Sequence, residues 1–413
     1  MQDSVNADSK PVDSKMINPK IEENLKETLL IRLPNWLGDC VMLTPTLELL
    51  KKHFEVVLVG NKLVLELFSC DSFIKELVID STKEDSKKHR FKLLARIKAT
   101  ISLAKSLKKK HNFKYAITFQ NAFFSALLLR FSSAKVRIGY SGLRSFLLTH
   151  PIKKALGKAP VCKHQVLSYA SLLTPLASLL DLESKNLKSP LYDTALMSKN
   201  QALIYENLGA LRLKVRSKKQ DSLDTKILGL SFGASFGISK RWPLEYYAEL
   251  ASYFLSKGYE VRLFGALSEK DLGDRLEALI TKNASNLKSL NNLVGKTTIK
   301  TLIDSINECS VHVGNDSGNS HIAVALSVPS ISFYGPTPSR WGYPWHVTSK
   351  GADAGVDEDD HTFLGRFIAI RKKELPCLGC KQRICPLKHH NCMKLITPDE
   401  VIDLSNYLVS HNF

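Results

Sequence analysis

Residues 314–321 read GNDSGNSH, with the apolar run CSVHV before them and the helix-patterned IAVALSV after. An acid, a hydroxyl and a histidine therefore sit where a strand turns into a helix. Backbone N–H groups at such a helix start point outward and favour phosphate oxygens. Gly314 and Gly318 let a ligand approach the backbone closely. Ser317 adds a hydroxyl donor, and His321, one turn on, can point back to the same anion. The same residues equally suit an ordinary N-cap, with Asp316 or Ser317 satisfying helix amides.

A second stretch, LSFGASFGISKRWP (230–243), is a strand end, a Gly/Ser-rich loop and a cationic pair before Pro243. Proline suits the first turn of a helix. Ser231, Gly233, Ser235 and Gly237 can line a phosphate pocket, and Lys240 can supply the cation for a diphosphate. The plain alternative is a basic helix start on the surface, where the helix dipole disfavours cations. A third stretch, IRLPNWLGDCVML (31–43), puts Gly38 and Asp39 just after the first strand. An acid facing a cleft there can act as a general base, or simply cap its helix.

Late in the chain, Cys377, Cys380, Cys385 and Cys392 follow C-x2-C-x4-C-x6-C, with His389 and His390 inside the span. Four soft ligands at such spacing can close a tetrahedral structural zinc site. Reduced thiols packing the end of the second lobe are the alternative. Cys40, Cys70, Cys162 and Cys309 are scattered and read as core.

The elements that must position these residues form two sets. Strand-like TLLIRL (28–33), EVVLVG (55–60), ELVID (76–80), KYAITF (114–119) and RIGY (137–140) alternate with helical periods, including one over 37–52 and a long basic one over 88–110. A Lys/Ser/Asp-rich stretch follows, and the alternation resumes at KILGLSFG (226–233), with helices expected over 243–257, 269–281, 299–308 and 317–327. Strand–helix alternation predicts parallel sheets covered on both faces. Such sheets bind ligands outside the carboxyl ends of their strands, so two of them facing each other make a cleft. Segment 336–375 reads as irregular, and a final helix over 398–408 follows the capping Thr397. The boundaries that result are a disordered extension at 1–27, a first domain at 28–205, a linker at 206–226, a second domain at 227–396 and a C-terminal helix at 397–413.

The chain has 413 residues, 44% apolar and 24% charged, with a formal net charge of +18. That length suits two domains. The charge points to an anionic partner: nucleic acid, anionic lipid or a phosphorylated substrate. No 18-residue apolar run suggests a transmembrane helix, and the polar N-terminus lacks a secretory h-region. A reducing cytosol is therefore the expected location, with disulfides disfavoured. In the basic stretch 87–114, Phe91, Leu94, Ile97, Ile101 and Leu107 can share one apolar face. It reads as a domain helix packed on one side, with its basic side open to anionic lipid.

GDCVMLTPTLELL (38–50), GASFGISKRWPLEYYAELA (233–251), GNDSGNSHIAVAL (314–326), PSISFYGPT (329–337) and the cysteine segment occur in one order. Together they resemble glycosyltransferase family 9, the lipopolysaccharide heptosyltransferases, and most of all its heptosyltransferase II branch. The resemblance covers about residues 28–410, and its most specific parts are K-R-W-P and D-S-G-x-x-H.

The resemblance implies a GT-B fold, two Rossmann-like doubly wound α/β domains facing a cleft. It implies inverting transfer from ADP-L-glycero-D-manno-heptose to the heptose of a heptosyl-Kdo2-lipid A acceptor, with no cofactor required for catalysis. Asp39 would be the general base and Lys240 would neutralise the departing diphosphate. Ser231, Gly233, Ser235, Arg241, Asp316, Ser317, Gly318 and His321 would bind the donor. Glu269 would hold its ribose, although it lies slightly later than the family's acid. Asn35, Trp36 and Gly38 would meet the acceptor. A cysteine segment like this one occurs in the same branch, which supports a structural role for it. The implied setting is the cytoplasmic face of the inner membrane, with the protein peripheral and monomeric.

Two other readings compete. A family member of heptosyltransferase I or III type would use a different acceptor. A basic nucleic-acid-binding protein would interleave its cations with exposed aromatics. Here the basic residues are spread over helices and the aromatic-rich motifs fall inside the domains, so no nucleic-acid partner is expected.

Overall fold

Leu29, Leu30 and Ile31 are completely buried, as a parallel strand covered on both faces must be. They lie in β1 (Glu27–Arg32), near the middle of the first of two sheets. The computed structural model describes residues 26–153, 164–184, 198–215, 226–284, 287–345 and 359–411. Residues 1–25 of the expected extension, Cys162 and residues 216–225 of the expected linker lie outside the described residues.

The first sheet has six parallel strands in the order β3-β2-β1-β4-β5-β6. Its further strands are β2 (Phe54–Gly60), β3 (Ile74–Ile79), β4 (Tyr115–Thr118), β5 (Val136–Tyr140) and β6 (His150–Ile152). Between them run α1 (Leu37–Met42), α2 (Thr44–Leu50), α3 (Lys62–Glu66), α4 (Thr82–Ser86), α5 (Lys92–Lys110) and α6 (Phe123–Phe131). After β6 come α7 (Gln165–Ala170) and α8 (Lys199–Glu206).

The helix expected over 37–52 is two helices that meet at Leu43, with Pro45 in the first turn of α2. Proline has no N–H to continue the first helix, but it suits the start of a second. The long basic helix expected over 88–110 is α5, which starts at Lys92, with the short α4 before it.

The second sheet has seven strands in the order β12-β13-β11-β10-β7-β8-β9. They are β7 (Ile227–Ser231), β8 (Glu260–Leu263), β9 (Leu290–Asn292), β10 (Val311–Asn315), β11 (Ser330–Phe333), β12 (His361–Leu364) and β13 (Phe367–Ile370). Its helices are α9 (Leu244–Ser256), α10 (Lys270–Asn283), α11 (Ile299–Asn307), α12 (Gly318–Ala325), α13 (Asn391–Lys394) and α14 (Pro398–Ser410). No helix among the described residues is long and apolar enough to cross a membrane.

Segment 336–375 is not wholly irregular. It contains the antiparallel hairpin β12–β13, which extends the sheet beyond β11. The turn is Gly365-Arg366, with Gly365 at φ +64°. A glycine between two short apolar runs is a hairpin signal. The expected linker also begins as packed chain: Leu208 and Leu211 are buried, and the Gly209 carbonyl accepts from Trp345 Nε1 of the second lobe at 3.0 Å. Thr397 caps α14 as expected, its side chain accepting from the Glu400 N–H.

Candidate active site between the two sheets

In each sheet the chain direction reverses beside the first strand: β1 lies between β2 and β4, and β7 between β8 and β10. Loops leaving such a switch point diverge and open a crevice. Asp39 follows β1, Lys240 follows β7, and Asp316 follows β10. The three motifs thus follow three of the four strands that flank the two switch points.

Asp39 sits in the first turn of α1, where the helix dipole favours a negative charge. The Tyr169 hydroxyl, from α7, donates to Asp39 Oδ1 at 2.8 Å. Burial, and then the neighbouring Asp39 charge, push the Tyr169 pKa well up, so the phenol stays a donor. The Tyr169 ring meets Phe119 edge-on at 5.6 Å between centroids.

In the second lobe, Lys240 Nζ reaches Asp316 Oδ2 at 2.5 Å, and both side chains are nearly buried. Burial alone would raise the Asp316 pKa, but Lys240 and His321 outweigh it and hold the carboxyl well below the usual range. His321 Nε2 lies 3.6 Å from Asp316 Oδ1. Ser317 stands at the N-cap of α12, yet its hydroxyl bonds no amide of that helix. Its Oγ is buried without a hydrogen-bond partner among the described residues. Such orphans in native structures call for an explanation, and a ligand oxygen supplies one.

The two lobes meet at these helix starts. A Cβ on Gly38 would lie 2.8 Å from His321 Cδ2, and one on Gly318 3.1 Å from Leu37 Cβ. Glycine at both points leaves room for the starts of α1 and α12 to approach closely.

The Gly/Ser loop is less uniform than its sequence suggests. Ser231 is buried, sharing a 2.9 Å hydrogen bond with His312 Nε2 and accepting from Asn319 Nδ2 at 3.2 Å. Its hydroxyl faces the sheet rather than the crevice. His312 is held neutral by burial, its pKa lowered to about 3. Ser235 is exposed. Arg241 is half-buried, its Nε without a hydrogen-bond partner among the described residues. The Glu269 carboxylate lies directly over Gly233 and accepts from the Ala266 N–H at 2.9 Å. Gly233 therefore leaves the space that Glu269 fills.

Residues 100–356 match the profile of Glycosyltransferase family 9 (heptosyltransferase). The chain belongs to glycosyltransferase family 9. It is 30% identical over 388 residues to lipooligosaccharide heptosyltransferase 2 of Campylobacter jejuni, spanning 93% of this chain and 99% of that relative. Over 116 residues it is 38% identical to lipopolysaccharide heptosyltransferase 2 of Escherichia coli, covering 28% of this chain and 33% of the relative. The solved E. coli ADP-heptose lps heptosyltransferase II superposes with TM-score 0.67 at 24% identity, over 93% of this chain and 98% of that one. A family 9 structure from Veillonella parvula gives TM-score 0.69 at 16% identity, over 93% and 97%. The fold is the GT-B arrangement of two Rossmann-like domains, and the chain is a glycosyltransferase.

On the other side of the family 9 crevice, Asn35 Oδ1 accepts from Gln120 Nε2 at 2.5 Å and lies 3.4 Å from an Arg32 nitrogen. Arg32 pairs with Asp80 at 2.8 Å. Trp36 is 58% exposed. Sequence reasoning missed Arg32, Asp80, Gln120 and Tyr169. A charged residue inside the apolar run TLLIRL and an acid at the end of ELVID were usable signals for the first two. Nothing local marks Tyr169.

The zinc expectation finds no support. Among the described residues no group of three or more His, Cys, Asp or Glu side chains is placed to hold a metal. Cys377 Sγ and His389 Nε2 approach to 3.9 Å, but Cys392 is buried in α13, and a Cβ on Gly335 would lie 2.8 Å from its sulfur. Burial first, and then the other three cysteines, push its thiol up to about 11.

The segment instead backs the Lys240 loop. The Arg383 and Gln382 carbonyls accept from Ser239 N at 3.1 Å and Ser239 Oγ at 2.5 Å, and His390 Nε2 lies 2.8 Å from the Ser239 carbonyl. Of the cysteines read as core, Cys40 and Cys309 are buried and Cys70 is partly so.

Proposed function

We propose that this chain transfers heptose, with inversion, from ADP-L-glycero-D-manno-heptose to the heptose of the lipopolysaccharide inner core. One observation carries the reading: Asp39 of the first lobe and the Lys240–Asp316 pair of the second flank one crevice, closed by the Gly38–His321 contact. Asp39 takes the proton of the acceptor hydroxyl. That oxygen bonds to the anomeric carbon as the bond from this carbon to the β-phosphate oxygen breaks. Charge develops on the leaving diphosphate. Lys240, Arg241, the Ser317 hydroxyl and the N–H groups opening α12 compensate it, and donors fixed beforehand cost no reorganisation during the step. Asp316 and His321 hold sugar hydroxyls, Glu269 the ribose, and Asn35, Trp36 and Gly38 the acceptor.

Full-length matches support the second heptosyltransferase type. The chain spans 99% of the Campylobacter jejuni heptosyltransferase 2 and 99% of the Haemophilus ducreyi enzyme of that name. The protein works as a monomer at the cytoplasmic face of the inner membrane, where soluble donor meets lipid-linked acceptor.

The test is ADP release from ADP-heptose with heptosyl-Kdo2-lipid A, with Kdo2-lipid A, and with no acceptor. Release only with the heptosylated acceptor, lost in Asp39→Ala while ADP still binds, is the expected result. Release with Kdo2-lipid A instead would assign the other acceptor type. Tight ADP binding without release on either acceptor would overturn the substrate pair.

A further inference from the structure

The apolar face expected to run along the whole basic helix does not. Thr100, Ala104 and Leu107 in the later part of α5 are buried. At its start Phe91 is 66% and Leu94 58% exposed. Both were expected to pack. Leu93 beside them is exposed as well.

The exposure is not confined to one helix. α5 and α6 share a core on one face of the first sheet, and Arg96 stacks on the Phe124 ring at 3.8 Å. The starts of the two helices are therefore adjacent, and Phe123 at the start of α6 is exposed. The turn at Ser145–Leu147, after β5, adds Phe146, 73% exposed. The starts of α5 and α6 lie at the carboxyl edge of the sheet, the edge that carries Asp39, Asn35 and Gln120, and the turn shares their core on that face.

Positive charge flanks the start of α5. Lys87, Lys88, Arg90 and Lys92 are exposed, and none has a carboxylate within ion-pair distance among the described residues. Exposed aromatic and aliphatic side chains with unpaired cations next to them in the chain fit one environment well. That is the interface of an anionic bilayer, where rings enter the headgroup region and cations meet phosphates.

We propose that the face formed by the starts of α5 and α6, with the Ser145–Leu147 turn that packs beside them, docks on the surface of an anionic phospholipid bilayer. The proposal deepens the lipid-linked acceptor reading given above. Docked this way, the acceptor side of the crevice opens next to the headgroups, so an acceptor anchored by its acyl chains reaches Asp39 without leaving the membrane.

The test is flotation with vesicles of phosphatidylethanolamine and phosphatidylglycerol, against vesicles of phosphatidylcholine alone, with no substrate present. Two variants are compared with wild type, Phe91→Ser/Leu94→Ser and Lys87→Glu/Lys88→Glu. Each is expected to lower partitioning onto the anionic vesicles by at least about tenfold. Neither should alter transfer to a deacylated, water-soluble acceptor. Because the substituted side chains are exposed, both variants should keep the wild-type Tm.

Undiminished partitioning in both variants, or equal partitioning onto phosphatidylcholine, overturns the proposal. So does a concentration-dependent dimer in light scattering that the apolar variant abolishes, since the face would then cover a second copy. Vesicle binding is read without donor or acceptor. A failed transferase assay and a failed docking assay are therefore separate results.

Discussion

The Tyr169 hydroxyl donates to Asp39 Oδ1 at 2.8 Å, from a helix that follows the last strand of the first sheet. The bond occupies one carboxylate oxygen and fixes the orientation of the other. Tyr169 is thus a positioning residue for the proposed base. Removing its hydroxyl should cost turnover without costing donor affinity.

Tyr169→Phe is expected to lower kcat by about 10- to 100-fold, a loss of orientation rather than of the base itself. The KM for ADP-heptose should stay near wild type. A merely structural Tyr169 would instead lower Tm and leave kcat near wild type, and this pattern would sink the assignment.

Lys240 and Asp316 form a nearly buried pair. Breaking a buried pair from one side leaves an uncompensated charge and typically costs about 3–5 kcal/mol. Asp316→Asn and Lys240→Met should each lower the urea midpoint. The double variant should recover much of that loss but not ADP affinity, measured by calorimetry. If the three variants are equally stable, the pair carries no structural coupling.

Much of this crevice is legible in the chain before folding is considered. Strand–helix alternation implies two parallel sheets, and crevice positions follow from strand ends, so Asp39, Lys240 and Asp316 can be placed from their neighbours alone. Ser231 shows the limit. Nothing local tells whether a strand-end serine faces ligand or sheet, and here His312, on the adjacent strand, takes its hydroxyl. Tyr169 lies 130 residues from Asp39, beyond any periodic signal. The start of α5 shows a further limit, because periodicity gives a face but not where the neighbouring elements stop covering it. The cysteine spacing likewise says nothing about the direction in which Cys392 points.

Two buried histidines make stability depend on pH. His164 and His312 both have pKa values lowered to about 3 by burial. His164 Nδ1 accepts from the Val166 N–H, and its Nε2–H donates to the Tyr343 carbonyl of the other lobe at 3.0 Å. An unfolded histidine takes up its proton near pH 6.5. Between about 6.5 and about 3 the unfolded chain binds more protons, so stability falls as pH drops through that window, by about 1.4 kcal/mol per pH unit per histidine. Asp316, held below the usual carboxylate range, adds a loss in the same direction at the acid end. Urea midpoints at pH 7, 6, 5 and 4 should fall progressively, and His164→Asn should flatten the slope. An unchanged slope in that variant would mean that His164 is protonated in the folded state.

The last prediction concerns the loop that carries Lys240. Gly237 lies against the backbone of Arg383, and a Cβ there would collide with the Arg383 carbonyl and Cα. Neither backbone atom can rotate away, so Gly237→Ala must push the cysteine segment and the Lys240 loop apart. Overpacking of this kind costs about 1–3 kcal/mol. The strain falls on Ser239, whose N–H and hydroxyl are held by Arg383 and Gln382. The expected result is ADP binding weakened by about tenfold, with acceptor KM nearly unchanged, because the first lobe is not touched. Gly258→Ala provides the control, since that glycine has open space around it but a φ of +79°. It should lower Tm through backbone strain and leave ADP affinity alone. Equal loss of ADP affinity in both variants would show that general destabilisation, rather than the packing of the cysteine segment on the Lys240 loop, controls the donor site.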